Sequence, residues 1–439
     1  MIYFEKYISN VHIKLWLHVF ICSTFFLSIN AQDTDYFKQT IRFEDFIYKS
    51  NIKTVLLNLK NDELALPIIP LGSRNALRLQ FDDLDNFPKD YSYELILCNY
   101  NWEPVDLLKA QYINGVTEDF MNTTFYSSCV YSQYINYQLD FPTSTMEIAK
   151  SGNYIIKVFE DGDKDNLVLT KRFMVVEPKV LLTGEVRRSA NVEFSRFAQD
   201  VSFVLTSNGY ALTNPYSDLK VNVIQNNDWA SHHENIKPLF VKGNEIEYLL
   251  SDENMFLGIN EYRSLDLKSI NYTPGNMSSI ELGTPVKAFL YTDQKRGYRN
   301  FEFLPDINGK RYIRNEIAFD HHSESEYVEV QFSLSSDMEY DEPVYLYGAL
   351  CEFPFNNMCK LNYDDQHKVY YKNVLIKQGL YNYAYVFQNQ MKGTPDFSVL
   401  EGNHWQTENK YTIMVYHKSF SAQHDRLIGV LTVSSIPGN

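Results

Sequence analysis

Two adjacent histidine pairs and one acidic turn are the parts of the sequence that could bind a metal ion. The pairs are His232-His233 and His321-His322, but neighbours on a strand or a helix do not share a face. The turn Asp161-Gly-Asp-Lys-Asp165 begins like a calcium-binding loop, yet Asn166 and Arg172 occupy two positions where such a loop needs glycine and glutamate. We therefore predict loop histidines and a hairpin turn, and no metal or other cofactor.

Acidic side chains are abundant enough to supply the two carboxyl groups of a glycosidase, but only the fold can bring such a pair together. Asp82, Asp83 and Asp85 are examples. The sequence contains no nucleophile elbow, phosphate-binding loop or dinucleotide-binding glycine motif, so the common hydrolases and nucleotide-dependent enzymes lack their usual residues. We predict no catalytic residues and a protein that is not an enzyme, with a glycosidase as a less favoured hypothesis.

The cysteines are candidates for disulfide bonds. Cys22 lies in the N-terminal apolar segment, which leaves an even number, Cys98, Cys129, Cys351 and Cys359. Their spacing suggests two local pairs, Cys98 with Cys129 and Cys351 with Cys359, among three connectivities. Buried free thiols are the alternative, and the closely spaced pairs of a zinc site are absent from the sequence.

Net charge and the N-terminus indicate an exported protein. With 40 basic and 55 acidic residues the formal charge is −15, so nucleic acid is an unsuitable partner and an anionic membrane surface is disfavoured. Lys6 and Lys14 precede an apolar run from Leu15 to Ile29, which is short of the ~20 residues that span a bilayer. We predict that residues 1–31 are a signal peptide cleaved after Ala31, with an uncleaved anchor as the alternative, and no direct membrane span.

Alternating polar and apolar residues predict short β-strands along most of the chain. The predicted strands are 91–98, 153–160, 167–177, 199–206, 219–225, 261–267, 285–291, 327–334, 344–350, 369–376, 381–387, 411–417 and 426–433. A short helix is predicted at 102–109. The 33 tyrosines include Tyr381, Tyr383 and Tyr385, whose spacing puts three rings on one sheet face, either in a core or as an exposed stacking platform.

Turn signals divide the chain into three segments of similar size. Pro178 ends a predicted strand and Asn308-Gly309 marks a turn, so we predict domains at 32–178, 179–310 and 311–439. Several short strands in each segment are typical of immunoglobulin-like β-sandwiches. The predicted fold class is therefore all-β, with tandem sandwiches in series after the signal peptide.

Several strings, in order along the chain, resemble the type IX secretion system plug protein family of the Bacteroidetes. They are Phe81–Leu84, Ser151–Val158, Thr170–Val175, Asn260–Arg263, Val344–Gly348, Leu375–Tyr383, Thr407–Tyr411, Val415-Tyr416 and Asp425–Gly429. Ile376 and Leu380 depart from the family's pattern conservatively, and Cys129 stands where a polar residue is expected.

The resemblance implies a non-enzymatic periplasmic subunit, associated with the outer membrane through its partner. Its role would be to close the translocon barrel of that secretion system when the barrel is idle. A carbohydrate-binding surface protein is the alternative, because β-sandwiches that display exposed aromatic rings also bind sugars.

Overall fold

Strands dominate the computed structural model, which describes residues 40–353 and 355–435. The content is 45% strand and 3% helix, so the predicted all-β class is confirmed. The predicted signal peptide lies outside the described residues. No helix within the described ranges is long and apolar enough to cross a membrane.

The strands follow one another in chain order. The first twelve are β1 (Phe46–Ile47), β2 (Ile52–Leu59), β3 (Ile68–Pro70), β4 (Leu77–Asp83), β5 (Tyr91–Cys98), β6 (Ile113–Gly115), β7 (Asp119–Phe120), β8 (Thr123–Tyr126), β9 (Ile135–Phe141), β10 (Met146–Ile148), β11 (Gly152–Glu160) and β12 (Leu167–Val176). The next seven are β13 (Leu181–Arg188), β14 (Ala198–Thr206), β15 (Leu219–Gln225), β16 (His232–His233), β17 (Phe240–Lys242), β18 (Glu245–Leu250) and β19 (Phe256–Leu257). The last twelve are β20 (Arg263–Asp266), β21 (Met277–Glu281), β22 (Val286–Leu290), β23 (Arg311–Ile313), β24 (Tyr327–Ser335), β25 (Val344–Tyr347), β26 (Asn362–Asp364), β27 (Val369–Lys377), β28 (Gly379–Gln388), β29 (Pro395–Asp396), β30 (Lys410–His417) and β31 (Arg426–Ser434).

Helical structure in the described part of the chain is confined to single turns. One α-helical turn covers Pro215–Asp218, and 3-10 turns cover Lys109–Gln111, Asp252–Asn254 and Ala349–Cys351. The predicted helix at 102–109 is wrong. Trp102 has a positive φ of 67°, and the backbone N–H of Val105 donates to the carbonyl of Leu97, so this segment folds back along β5.

Two facing sheets form the first sandwich. Sheet A has the order β1-β12-β11-β5-β7 with β3 beside β12, and sheet B has the order β2-β4-β9-β8. Alternate side chains face the space between them, where Leu79, Tyr137 and Phe173 belong to one buried apolar cluster. A separate two-stranded ribbon pairs β6 with β10.

The middle sandwich takes strands from two distant parts of the chain. Sheet C has the order β13-β14-β18-β17 with β19 beside β14, and sheet D has the order β16-β15-β30-β31. Its core therefore combines Phe203 and Val221 with Ile413 and Ile428.

The third sandwich faces sheet E, centred on β28, against sheet F, with the order β21-β22-β24-β27-β26. In sheet E, β28 pairs with β20, β23, β25 and β29. The predicted domain limits at 178 and 310, and the immunoglobulin-like topology, stay predictions. Strand pairing adds one point: the middle and the third sandwich each contain strands from both sides of residue 310.

Candidate functional site

The histidines with metal-binding potential lie apart from any ligand set. His233 packs its ring edge-on against Phe256 at 4.6 Å, and His232 is exposed on the same short strand. His322 lies 3.3 Å from the side-chain amide of Gln80, and burial together with the Lys377 ammonium lowers the pKa of His322 to about 4. Among residues 40–353 and 355–435, no group of three or more His, Cys, Asp or Glu side chains could hold a metal ion.

The acidic turn at 161–165 is a hairpin connection between β11 and β12. Asp161 and Gly162 both have positive φ, at 58° and 68°, as a tight hairpin turn of this type needs. The carboxylate of Asp163 accepts the backbone N–H of Asp165 at 3.0 Å. The acidic residues of this segment therefore have a structural role in forming the hairpin turn.

The structure places the four remaining cysteines in three different surroundings. Cys351 and Cys359 are joined by a disulfide, whereas Cys98 and Cys129 are free. Cys98 is buried in an apolar cluster with Ile155, while Cys129 lies near the hydroxyl of Tyr134. The expected pair between Cys98 and Cys129 is therefore not formed, and burial raises the pKa of both thiols.

The three tyrosines of β28 lie in the core and form no exposed platform. Tyr381, Tyr383 and Tyr385 are all buried in the third sandwich. The hydroxyls of Tyr383 and Tyr385 both donate to the carboxylate of Asp293, at 2.9 and 3.0 Å. The Tyr381 hydroxyl donates to the carbonyl of Lys377, so each of the three rings has the polar contact that buried tyrosines usually make.

Asp82 lies in a buried polar cluster between the first and third sandwiches, which we call the Asp82 joint. Asp82 on β4 is 2.6 Å from the ammonium of Lys377 at the end of β27, and the two side chains are 0% and 1% exposed. The carboxylate also accepts the hydroxyl of Tyr327 at 2.6 Å and the amide of Asn136 at 2.7 Å. Lys377 lies 4.1 Å from the ring centroid of Tyr134.

A second polar cluster links the same two sandwiches, and we call it the Glu352 joint. Glu352 bonds to Lys171 of sheet A at 2.8 Å and to Arg311 of sheet E at 2.6 Å. Burial would raise the pKa of Glu352, but the charges of Arg311 and Lys171 outweigh it and hold the pKa below its usual value. Glu352 follows Cys351 directly, so the disulfide helps to position it.

Contacts between the first and middle sandwiches centre on an arginine between two tryptophans, the Trp102 joint. The guanidinium of Arg172 lies 4.9 and 5.0 Å from the rings of Trp102 and Trp229, and the two rings pack edge to face at 5.0 Å. Nearby, the hydroxyl of Tyr416 donates to the side chain of Asn153 at 2.8 Å. Cation–π stacking of this kind is strongest where water is excluded.

The middle and third sandwiches meet at Asp228, the Asp228 joint. Its carboxylate accepts the hydroxyl of Tyr347 from β25 at 2.6 Å and that of Ser231 at 3.0 Å. Burial raises the pKa of Asp228 against these hydrogen bonds. Every pair of sandwiches is thus connected through buried hydrogen-bonded polar groups, and a polar group of this kind is costly to separate from its partner.

These joints were not identified in the sequence, because each one joins residues more than 100 positions apart. In the sequence Asp82 is one carboxylate among many, and Lys377 belongs to the string Leu375–Tyr383 that resembles the plug family. The signal in the sequence for a buried charge is a lysine at the end of a predicted strand, directly after Val374, Leu375 and Ile376.

The fold and the joints together define the class of protein. It is an all-β protein in which three sandwiches are held together by buried polar contacts. Residues 52–177 match the family described as the type 9 secretion system plug protein 1st domain. This match confirms the resemblance to the type IX secretion system plug protein family that the sequence showed.

A solved structure of similar shape extends over nearly the whole chain. It is the crystal structure of a hypothetical protein from Parabacteroides merdae, with 30% sequence identity and a TM-score of 0.86. The match covers 90% of this chain and 100% of that one. No curated protein matches.

Proposed function

We propose that this protein is a non-catalytic periplasmic plug that closes the translocon barrel of the type IX secretion system when no cargo occupies it. The observation that carries the proposal is the match of residues 52–177 to the first domain of the plug protein family. Its partner is the barrel protein of the outer membrane, and the plug reaches that membrane only through this partner.

The physical demands of the role fit the joints. Barrels of the largest class enclose lumens wide enough to leak solutes, so an idle barrel needs a stopper. A stopper must keep its shape under load. The Asp82, Glu352, Trp102 and Asp228 joints connect each sandwich to both of the others. Moving one sandwich away from another would break a buried ion pair and leave uncompensated charges. The ion pairs therefore oppose hinge motion between sandwiches.

The carbohydrate-binding alternative loses its main support because Tyr381, Tyr383 and Tyr385 are buried. Exposed aromatic rings remain elsewhere, for example Tyr298 and Phe319. They lie on separate loops, Tyr298 between β22 and β23 and Phe319 between β23 and β24.

Copurification from the native host tests the proposal. The tagged protein is isolated from outer membranes in mild detergent, and an equally tagged exported protein of another family serves as the control. Recovery of the translocon barrel with the plug but not with the control supports the proposal. Recovery of the plug alone, together with binding to a glycan array, would favour the carbohydrate-binding alternative.

A further inference from the structure

Strand β8 is an open edge of sheet B. It pairs with β9 on one side only, and all four of its residues are exposed. An edge of this kind presents unpaired backbone N–H and C=O groups, which can hydrogen-bond an added strand.

The pairing with β9 identifies which backbone groups point outward. Thr123 faces Gln138 and Phe125 faces Asn136, and the same register continues to Ser127, whose N–H donates to the carbonyl of Tyr134 at 3.0 Å. Hydrogen-bonded pairs alternate in an antiparallel ladder. The backbone groups of Thr123 and Phe125 therefore face β9, and those of Thr124 and Tyr126 face away from the sheet.

Strand β8 also lacks the residues that normally protect an edge. Its sequence, Thr-Thr-Phe-Tyr, contains neither a charge nor a proline. The longer edge strands differ, because β2 carries Lys53 and a register shift, and β13 carries Glu185, Arg187 and Arg188. Charges and irregularities of this kind discourage strand addition.

A small polar cavity opens at the start of β8. It has a volume of about 190 Å³, more than one water molecule needs, and Tyr93, Asp119 and Thr123 are among its lining residues. The Tyr93 hydroxyl is buried and no hydrogen bond of ordinary geometry satisfies it, although Thr143 lies near enough to lower its pKa against the larger effect of burial. A buried hydroxyl without a partner is unusual and marks a place for a further hydrogen-bonding group.

The charges around the cavity favour a basic occupant. Asp140 is already paired with Arg78 at 2.7 Å and with Lys60 at 2.8 Å. The hydrogen-bond partners of Asp119 among the described residues are instead uncharged. They are the backbone N–H of Phe120 at 2.9 Å and the hydroxyl of Thr145 at 3.1 Å. A second copy of this chain is a poor occupant, because two molecules with a formal charge of −15 repel each other.

We propose that β8 accepts an extended segment of the secretion-system partner as an added strand, with a lysine or arginine side chain of that segment beside Asp119. The proposal rests on the proposed function, because it takes the partner from it. Backbone hydrogen bonds to Thr124 and Tyr126 supply affinity, and the cavity selects the side chain.

Hydrogen exchange with single-residue resolution tests the strand addition in the complex isolated from the native host. In the free protein the amides of Thr124 and Tyr126 exchange fast, whereas the amide of Phe125 is protected by β9. In the complex we expect at least tenfold slower exchange at Thr124 and Tyr126, with Phe125 unchanged. Unchanged exchange at Thr124 and Tyr126 in a complex that does form overturns the strand addition and leaves the proposed function intact. Failure of the unaltered protein to bring down the barrel contradicts the proposed function, and this proposal with it.

Variants give a second test in the full-length protein. Thr124→Pro removes one outward N–H at an edge position that tolerates proline, and we expect at least tenfold less partner recovered. Thr124→Val keeps the N–H and is the matched control, with recovery equal to that of the unaltered protein. For the cavity, Asp119→Lys should lower recovery by a similar factor, while Asp165→Asn in the exposed hairpin turn should not. If Thr124→Pro and Asp119→Lys melt like the unaltered protein and still recover the partner fully, the proposal is wrong.

Discussion

At the scale of single residues, the titratable groups with the strongest constraints lie at contacts between sandwiches. Lys377 is buried, and burial lowers its pKa while Asp82 opposes that effect. Its ammonium also donates to the carbonyl of His322. Asp82 and His322, two of the residues considered for catalysis or metal binding, thus both contact this buried lysine.

Replacing Lys377 by methionine should destabilise the protein strongly. Lys377→Met leaves the Asp82 carboxylate buried without its counter-ion, and breaking a buried pair in this way costs about 3–5 kcal/mol. The free energy of unfolding is measured by urea denaturation at pH 7. The matched control is the double variant Asp82→Asn/Lys377→Met, which removes both charges and should recover about half of the loss. A single variant as stable as the unaltered protein would contradict the Asp82 joint.

Glu261 gives a test that depends on pH. It is buried, and burial, together with Asp306 and Glu408, raises the pKa of Glu261 to about 8 from a usual 4.5. Between these two values the folded state binds the proton and the unfolded state does not. The contribution of Glu261 to the free energy of unfolding is therefore fully present below pH 4.5, and it is lost as the pH rises toward 8.

Glu261→Gln should remove this contribution to the pH dependence. Relative to the unaltered protein, the variant should gain about 2–3 kcal/mol of stability between pH 5.5 and 7.5, because each pKa unit corresponds to about 1.4 kcal/mol. Denaturation curves at several pH values measure the difference. Glu245→Gln on the exposed start of β18 is the control and should give a flat difference. An equally flat difference for Glu261→Gln would show that the carboxyl is ionised in the folded protein.

At the scale of elements, alternation of polar and apolar residues was sufficient to predict most of the long strands. The predicted strands at 91–98, 219–225 and 369–376 agree with β5, β15 and β27 within one residue. The segment 102–109 could not be predicted, because its conformation depends on Trp102 packing against Trp229. The pairing of β15 with β30 also could not be predicted from the local sequence, since these strands are almost 200 residues apart.

The disulfide should stabilise the segment that carries Glu352. The double variant Cys351→Ser/Cys359→Ser should lose about 2 kcal/mol of stability, within the range usual for a disulfide. It should also speed hydrogen exchange around Glu352. Thermal denaturation measures the first effect, and Cys129→Ser, at a free and half-buried thiol, is the control with little expected change. Equal melting temperatures for the double variant and the unaltered protein would contradict this contribution.

The shared middle sandwich predicts which fragments fold. A fragment of residues 179–310 lacks β30 and β31, so one side of the core around Phe203 and Val221 is exposed to water and the fragment should be unfolded. A chain that joins 179–258 to 409–435 through a flexible linker contains both sheets and should fold. Circular dichroism and dispersion of NMR signals distinguish the two. A folded 179–310 fragment would instead support three consecutive domains.

At the scale of the whole molecule, the four joints connect three sandwiches that the sequence suggested only as a series. Each sandwich contacts both of the others, through the Asp82 and Glu352 joints, the Trp102 joint and the Asp228 joint. We expect a single cooperative unfolding transition in calorimetry, because separating any two sandwiches exposes buried polar groups. Separate transitions for the first sandwich and for the rest would show that the joints are weak.

The role of the molecule as a stopper is tested most directly by the permeability of the outer membrane in its native host. The measurement compares sensitivity to vancomycin, which is too large for ordinary porins, in cells with and without this protein, after the translocon barrel has been quantified in both. The account predicts a marked rise in sensitivity on deletion, restored by the unaltered protein. Unchanged sensitivity with the barrel present at its normal level would contradict it.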